Sequence, residues 1–132
     1  MKVKDVMSKN VKTISPEATM EEAALKMRKN KIGCLVVVEG EKPIGIITER
    51  DLVYKIVAEG KDTKTKVREV MSKDLKTIDK EADLKLAAKL MATHIIRRLP
   101  VVDNDRLVGI VTLEDIMRAE KIGIDRRLFQ YT

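Results

Sequence analysis

Two short segments carry the side chains that are best suited to ligand chemistry. In each, a glycine-led apolar run ends in a threonine, and an aspartate follows three residues later: Thr48 with Asp51, and Thr112 with Asp115. The free amides at a helix start, together with a threonine hydroxyl, attract a phosphate. An aspartate accepts hydrogen bonds from both hydroxyls of a ribose. The same spacing predicts a capping box that only satisfies the helix end, contributing about 1 kcal/mol. Both interpretations are open at this point.

The scarcity of reactive side chains excludes most enzyme chemistry. Among 132 residues there is one cysteine, Cys34, and one histidine, His94, which excludes intramolecular disulfides, zinc fingers and Cys/His nucleophilic dyads. Asp51 and Asp115 could serve as acid and base or hold magnesium, but the sequence supplies neither a nucleophile nor a phosphate loop. We predict no enzyme activity, no catalytic cofactor and no metal, with Cys34 a small buried side chain and His94 a helix-end residue.

The charge pattern argues against nucleic acid and membranes as partners. The net charge is +6, but the basic excess is spread along both halves of the chain, and only Tyr54, Phe129 and Tyr131 are aromatic. Such a chain lacks the stacking platforms of single-strand binders, although a steep loss of affinity with salt would support nucleic-acid binding. There is no apolar run of membrane-spanning length and no secretory signal, so we predict a cytoplasmic protein.

A shift of 64 positions aligns the chain with itself without a gap. Met7-Ser8-Lys9 falls on Met71-Ser72-Lys73, and identities continue to Asp51 and Asp115. Such agreement indicates two copies of one unit. We predict one domain with a linker over residues 1–64 and a second domain with a C-terminal tail over residues 65–132.

Each copy has the pattern of a β-α-β-β-α unit, which predicts an α+β fold. Residues 15–17, with Ser15 as N-cap before a proline, are typical of a helix start, and Asp79 takes that place in the second copy. Met20, Ala24 and Met27 recur at helical spacing, as do Leu84, Ala88 and Met91, which predicts that these residues are core positions. Residues 60–66 form a charged predicted linker. One copy is too small to close a core, so the copies should pack on each other.

These features together resemble a known family. The β-α-β-β-α order, the Val-Met-Ser starts at Val6 and Val70, the G-h-x-T-x-x-D motif in both copies, and residues 98–103 are similar to paired CBS domains, or Bateman modules. The resemblance implies an α/β fold of the α+β type, in which the two repeats pack sheet to sheet about a pseudo-twofold axis. It also implies adenosyl ligands such as AMP, ADP, ATP or S-adenosylmethionine in clefts between the repeats.

The resemblance assigns roles to individual residues. Thr48 and Thr112 would contact phosphate or ribose, and Asp51 and Asp115 the ribose hydroxyls. The adenine pocket implied by the family includes, in the first copy, Thr13, Ile14 and Ala18 with Gly33 to Val36, among them Cys34. In the second copy it includes Thr77, Ile78 and Ala82 with Ile96 to Pro100.

Three arginines distinguish the copies and would read a phosphate. Arg97 and Arg98 in the second copy stand where the first has Gly33 and Cys34, and Arg50 in the first stands where the second has Glu114. Charge-assisted hydrogen bonds from arginine favour nucleotides over S-adenosylmethionine. We expect the cleft with Thr112 and Asp115 to bind AMP more tightly.

The resulting hypothesis is a non-catalytic, energy-sensing regulatory module that binds AMP, ADP or ATP and relays occupancy to a regulated protein. The alternatives are an S-adenosylmethionine sensor and a dimerisation scaffold without a ligand. We expect a homodimer, because the helix face opposite each sheet carries an apolar stripe. Residues 125–132 lie outside the repeat, as a frayed tail or an apolar hook for a partner.

Overall fold

The computed structural model describes residues 1–120 and divides the chain into two compact units. The first unit runs from Val11 to Leu75, and the second joins residues 1–10 to the chain from Lys76 onward. The units therefore do not follow the sequence halves, because each begins about ten residues into a repeat. The domain boundary at residues 64 and 65 stays a prediction about the sequence repeats, and the predicted tail function of residues 125–132 falls outside the described residues.

The first unit is a three-stranded sheet with helices. Its elements are β1 (Thr13–Ile14), α1 (Met20–Asn30), β2 (Cys34–Glu39), β3 (Lys42–Thr48), α2 (Glu49–Asp51), which runs into a π-helical turn (Leu52–Val57), and α3 (Val67–Val70). The strand order is β1-β2-β3, with β1 parallel to β2 and β2 antiparallel to β3.

The second unit repeats this architecture. Its elements are a 3-10 turn (Val3–Asp5), β4 (Ile78–Asp79), α4 (Leu84–His94), β5 (Arg98–Asp103), β6 (Arg106–Thr112) and α5 (Leu113–Ala119). The strand order is β4-β5-β6, with the same parallel and antiparallel pairings, and each hairpin has its bulge at the same place.

The α+β fold class and the β-α-β-β-α order are confirmed in both units. Short apolar runs form the strands because their β-branched residues suit a half-buried pleated surface. The sheet-to-sheet packing implied by the resemblance stays a prediction. No helix within residues 1–120 is long and apolar enough to cross a membrane.

The predicted starts of the two long helices are wrong by four residues. Thr19 and Asp83, not Ser15 and Asp79, are the N-caps of α1 and α4, and their side chains accept hydrogen bonds from first-turn amides at 3.1 and 2.8 Å. Ser15 and Asp79 instead accept from the amide two residues later, which closes a local turn. Serine and aspartate stabilise turns by the same bond that caps a helix, so sequence does not separate the two.

The predicted linker is also more than a connection. The amides of Met20 and Glu21, which have no partner inside α1, donate to the carbonyls of Thr65 and Thr63 at 2.8 and 2.9 Å. The first amides of any helix need acceptors from outside it. The end of the charged segment supplies them here and leads directly into α3.

The apolar stripes predicted as core are buried. In α1, Met20, Ala23 and Met27 are at most 5% exposed, and Leu84, Ala87 and Met91 occupy the matching positions in α4. Each set belongs to the core of its own unit. The stripe in each helix uses the first alanine of an adjacent pair, not the second as the spacing predicted.

A methionine-serine segment packs against a glycine of the sheet in each unit. Ser72 exchanges backbone hydrogen bonds with Ile46 in β3, at 3.0 and 3.2 Å. A Cβ on Gly45 would lie 2.7 Å from the Met71 sulfur and 2.8 Å from the Ser72 carbonyl oxygen. The segment can therefore approach the sheet this closely only because residue 45 has no side chain.

Candidate functional site

The strand register determines where each motif begins. Thr48 ends β3 opposite Cys34, the first residue of β2, and Thr112 ends β6 opposite Arg98, the first residue of β5. The amide that opens the following helix donates to the carbonyl of the residue just before β2 or β5, at 2.9 and 2.8 Å. The two motifs thus have the same backbone frame.

Both motifs form complete capping boxes. The Thr48 amide donates to Oδ2 of Asp51 at 2.8 Å, and the Asp51 amide donates back to the Thr48 hydroxyl oxygen at 3.3 Å. The matching distances between Thr112 and Asp115 are 2.9 and 3.1 Å. The capping-box interpretation of the spacing therefore holds. Any ligand must share these carboxylates with the helix caps.

Each capping aspartate also faces a cation from its own helix. Oδ1 of Asp51 lies 3.1 Å from the Lys55 ammonium, and Oδ1 of Asp115 lies 3.2 Å from the Arg118 guanidinium. The two carboxylate side chains are only 13% and 16% exposed. In each aspartate, one carboxylate oxygen therefore completes the capping box and the other contacts a cation.

The three candidate phosphate-reading arginines differ in what already engages them. The Arg97 guanidinium donates to the Glu114 carboxylate at 2.6 Å. The Arg50 guanidinium lies 4.5 Å from the centre of the Tyr54 ring, which is a cation–π contact. Within residues 1–120, no carboxylate forms a salt bridge with Arg50 or Arg98. Two of the three arginines are therefore available to an anion.

The Arg97–Glu114 pair changes the charge of the second motif. The hydrogen bond from Arg97 lowers the pKa of the Glu114 carboxyl below its ordinary value, with the Glu114 backbone and the Thr112 hydroxyl adding to the effect. Glu114 is therefore firmly ionised at neutral pH, and Arg97 does not face an incoming phosphate as an unpaired cation.

The residues of the predicted adenine pockets lie at the start of each sheet. Thr13 pairs with Val36, and Thr77 directly precedes Ile78 in β4. Four of the predicted residues are buried: Ile14, Val36, Ile78 and Pro100. Ile14 and Ile78 belong to the cores of their own units.

Backbone carbonyls in these segments already have donors. The Ala18 carbonyl accepts from the Val67 amide at 2.8 Å, and the Ala82 carbonyl accepts from the Val3 amide at 2.9 Å. The ammonium of Lys26 donates to the Thr13 carbonyl. These segments are therefore fixed in position, and a base would meet them as ordered backbone and aliphatic side chains.

The first unit also contains an open cavity of about 510 Å³. Met27, Arg28, Lys31, Glu49 and Leu52 contribute to its lining, at the end of α1 and the start of α2. Gly33, which belongs to the first predicted adenine pocket, also contributes to this lining.

Sequence reasoning missed Lys55, Arg118 and Glu114 as partners of the motif residues. The first two follow an aspartate at helical spacing, four and three residues later, which is a readable signal for a salt bridge. The pairing of Glu114 with Arg97 depends on how β5 meets α5, and no sequence spacing predicts it. Among the residues that the structure describes, no group of three His, Cys, Asp or Glu side chains could hold a metal ion.

Comparison with known proteins gives one family for both repeats. The model of the CBS domain matches twice, at residues 3–58 and 67–122. Together the matches cover most of the chain, one in each sequence repeat.

Curated relatives match over most of this chain. The CBS domain-containing protein YhcV of Bacillus subtilis is 45% identical over 114 residues, which are 86% of this chain and 81% of that protein. The uncharacterized protein MK0525 of Methanopyrus kandleri is 46% identical over 121 residues, 89% of this chain and 62% of that protein. The chain therefore spans less than two thirds of the length of the second relative.

A solved structure with bound ligands has the same fold. The CBS domain pair of protein MJ0100, in complex with 5′-methylthioadenosine and S-adenosyl-L-methionine, matches with a TM-score of 0.80 and 34% sequence identity. The match covers 92% of this chain and 96% of that chain.

Proposed function

The chain belongs to the CBS-domain family, with one domain in each repeat, and we propose that it is a non-catalytic regulatory module that binds AMP, ADP or ATP. The two Thr-x-x-Asp motifs are the proposed sites, with Asp51 and Asp115 accepting the ribose hydroxyls. The module would work in the cytoplasm and relay nucleotide occupancy to a regulated protein. Its one cysteine and one histidine offer little for catalysis.

The duplicated, largely buried carboxylate carries this proposal. A carboxylate has about four lone-pair positions. In Asp115 two of them are taken, by the Thr112 amide and by Arg118. Two positions are left for the two hydroxyls of a ribose. Asp51 has one such position left, since the amide and the hydroxyl of Thr48 and the ammonium of Lys55 use the other three.

Uncompensated arginines support a phosphate-bearing ligand. Arg50 adjoins Asp51 in the first motif, and Arg98 lies opposite Thr112 in the second. The backbone contributes less, because the first amide of each helix is already bonded to a carbonyl. Arginine binds phosphate with two parallel hydrogen bonds, so these side chains are the proposed reason for a preference for nucleotides.

Isothermal titration calorimetry tests the ligand class directly. We expect heat and a rise in thermal midpoint with AMP, ADP or ATP, and weaker binding of adenosine, which lacks phosphate. NADH and S-adenosylmethionine complete the panel. If no adenosyl ligand gives heat or a shift in midpoint, the dimerisation scaffold becomes the better interpretation.

Aspartate variants separate ligand binding from helix capping. Asp51→Ala and Asp115→Ala should each weaken one site by about 1.5 to 3 kcal/mol, roughly ten- to hundredfold. Thr19→Ala is the matched control, because Thr19 caps α1 and should cost stability of about 1 kcal/mol without changing affinity. If the aspartate variants have lower thermal midpoints and still bind AMP with unchanged affinity, Asp51 and Asp115 act only as helix caps.

An S-adenosylmethionine sensor is the second candidate. The solved relative with S-adenosylmethionine and 5′-methylthioadenosine is 34% identical, and neither ligand has a phosphate. The Arg97–Glu114 pair also reduces the positive charge offered by the second motif. Tighter binding of S-adenosylmethionine than of AMP in the same calorimetric panel would favour this candidate.

A homodimer is the proposed assembly. Apolar side chains stand out from the helices of both units, each at least 45% exposed: Leu25, Val53, Tyr54, Val57, Leu86 and Met117. Such exposed apolar surface is typical of an interface. Sedimentation equilibrium at tens of micromolar should show a species of twice 15.0 kDa, and a 15.0 kDa species alone would contradict it.

A further inference from the structure

Lys55 touches two parts of the first unit that are distant in sequence. Its ammonium lies 3.1 Å from Oδ1 of Asp51 and donates to the Val70 carbonyl at 3.0 Å. Val70 ends α3, where helix carbonyls lack partners within the helix and a lysine commonly supplies one. One side chain therefore joins the aspartate of the first motif to the end of α3.

The segment held by Lys55 is the last part of the first unit before the chain enters the second. The amide of Met71 donates to the Val67 carbonyl at 2.9 Å, and the amide of Ser72 donates to the Ile46 carbonyl at 3.0 Å. The first unit ends at Leu75, only three residues later. A change at Val70 is therefore placed to affect the segment through which the chain leaves the first unit.

Lys55 also lies in the π-helical turn Leu52–Val57. Such widened turns are frequent at functional sites. The equivalent residue of the second repeat, 64 positions later, is Ala119, which is 7% exposed and belongs to the core. The alanine side chain has no donor for the carbonyl of Val6, the equivalent of Val70, so among residues 1–120 this link is present in the first unit only.

The hydrogen-bond capacity of Asp51 makes the link sensitive to a ligand. Three donors already use its carboxylate: the amide and the hydroxyl of Thr48, and Lys55. Two ribose hydroxyls would make five donors for about four lone-pair positions. One donor must leave, and Lys55 is the one that has a second acceptor in the Val70 carbonyl.

We propose that Lys55 is a positioning residue that couples occupancy of the first motif to the α3–Ser72 segment, and that the second motif has no such coupling. This inference rests on the proposed function. Binding of a ribose at Asp51 displaces the Lys55 ammonium from the carboxylate. Lys55 then keeps only the Val70 carbonyl as a partner and no longer ties it to the first motif, so the α3–Ser72 segment loosens. Occupancy of Asp115 leaves the corresponding segment, Val3–Ser8, unchanged.

Amide hydrogen exchange measured by NMR on the full chain tests the link first without ligand. Lys55→Met keeps most of the length of the unbranched side chain and removes its donors. The protection of the Ser72 amide should fall about fivefold, the factor that one hydrogen bond of typical net strength represents. The Ser8 amide, bonded to the Ile110 carbonyl at 2.9 Å, is the internal control and should not change. Lys55→Arg should restore the protection of Ser72.

The second stage adds AMP at a concentration that saturates the chain by calorimetry. In the wild type, AMP should lower Ser72 protection severalfold and leave Ser8 unchanged. In Lys55→Met this response should be lost although AMP still binds. Arg118→Met removes the cation beside Asp115 without touching α3, so the response of Ser72 should persist in this matched control.

The outcomes separate the two proposals. The coupling would be overturned if AMP bound at both sites of the wild type left the protection of Ser72 undiminished. It would also be overturned if AMP lowered Ser72 protection equally in the wild type and in Lys55→Met. Either result would leave the proposed function intact. If AMP gives no heat with the wild type, the proposed function fails and the coupling fails with it. The effect of Lys55→Met without ligand would then describe a structural bond only.

Discussion

The two repeats share a backbone frame and differ in the charges placed on it. In both, a threonine ends the second strand of the hairpin, an aspartate completes a capping box, and the opening amide of the helix is bonded to the carbonyl before the hairpin. On this frame Gly33 and Arg50 of the first repeat are replaced by Arg97 and Glu114 of the second. Within residues 1–120, the same geometry therefore presents an arginine without a carboxylate partner in one motif and an ion pair in the other.

Comparison of the two repeats separates the properties of the motif that the fold determines from those that individual side chains determine. The capping-box distances agree within about 0.2 Å between repeats, because strand register and helix start determine them. The cations beside the aspartates do not follow the register: Lys55 is four residues from Asp51, and Arg118 is three residues from Asp115. Ligand preference would then depend on side chains that can differ without a cost to the fold.

Glycine substitution tests the shared frame and has the largest expected effect. Gly45→Ala would place a Cβ 2.8 Å from the Ser72 carbonyl oxygen, and Gly109→Ala would place one 2.7 Å from the Ser8 carbonyl oxygen. Backbone cannot move aside cheaply, so each should lower the free energy of unfolding by about 2 to 3 kcal/mol in urea denaturation. The two losses should be similar.

Gly33→Ala is the matched control for these variants. Its Cβ would meet the Glu49 carboxylate at 3.0 Å, the movable end of an exposed side chain. We expect little or no loss of stability there. A large difference between Gly45→Ala and Gly109→Ala would show that the repeats are not equivalent in backbone packing.

Arginine variants test the difference in charge. Arg98→Ala should weaken AMP about tenfold and adenosine little, because only AMP presents the charge that a guanidinium meets. Arg97→Ala should have a smaller effect, since Arg97 is held by Glu114. The paired substitution Arg97→Ala with Arg98→Ala should weaken AMP far more than adenosine. Equal losses for AMP and adenosine, measured by calorimetry, would show that the arginines shape the pocket and do not read phosphate.

The sequence predicted the repeat, the element order and the fold class. These follow from signals that are local or periodic: the shift of 64 positions, the alternation of apolar residues, and the glycine and threonine that frame each motif. Helix starts were wrong at Ser15 and Asp79, because a turn and a cap use the same side-chain bond. The role of residues 63–65 as acceptors for the first amides of α1 was also missed. Every residue has a backbone carbonyl, so the sequence does not indicate which carbonyl accepts which amide.

The candidate site was less accessible to sequence reasoning than the fold. Thr48, Asp51, Thr112 and Asp115 could be found, because their spacing repeats. Whether an arginine is free could not, since Arg97 and Arg98 are adjacent in sequence and only the meeting of β5 and α5 pairs Arg97 with Glu114. The link from Lys55 to Val70 spans 15 residues and depends on a widened helical turn. Such contacts require the structure.

Neutralising Glu114 should change AMP affinity in the direction opposite to the arginine variants. Glu114→Gln removes the charge that holds Arg97 and should raise AMP affinity about threefold, within the range of an exposed ion pair. Adenosine affinity should not change. Arg50→Gln, at the equivalent position of the first repeat, should lower AMP affinity, and the opposite signs can be measured in one calorimetric series. An unchanged AMP affinity in Glu114→Gln would place Arg97 out of reach of the phosphate.

The smallest expected effect concerns acid stability, in which the repeats are alike in kind. Hydrogen bonds from Lys66 and Arg68 lower the pKa of Glu17, and hydrogen bonds from Lys4 and Lys2 lower the pKa of Glu81. A carboxyl with a lowered pKa in the folded state stabilises the fold above its unfolded pKa, near 4.3. That contribution is lost as the pH falls through the lowered folded value.

Thermal midpoints measured between pH 6 and about pH 3 should therefore fall less steeply in Glu17→Gln and Glu81→Gln than in the wild type. The flattening should be slight, because both carboxylates are about half exposed and solvent screens such pairs. Glu17→Gln should flatten the curve more, since Arg68 also binds Glu39 at 2.7 Å and joins the pair to β2. A steeper curve in Glu17→Gln than in the wild type would mean that its cluster opposes folding at neutral pH, and the two repeats would then differ in kind here as well.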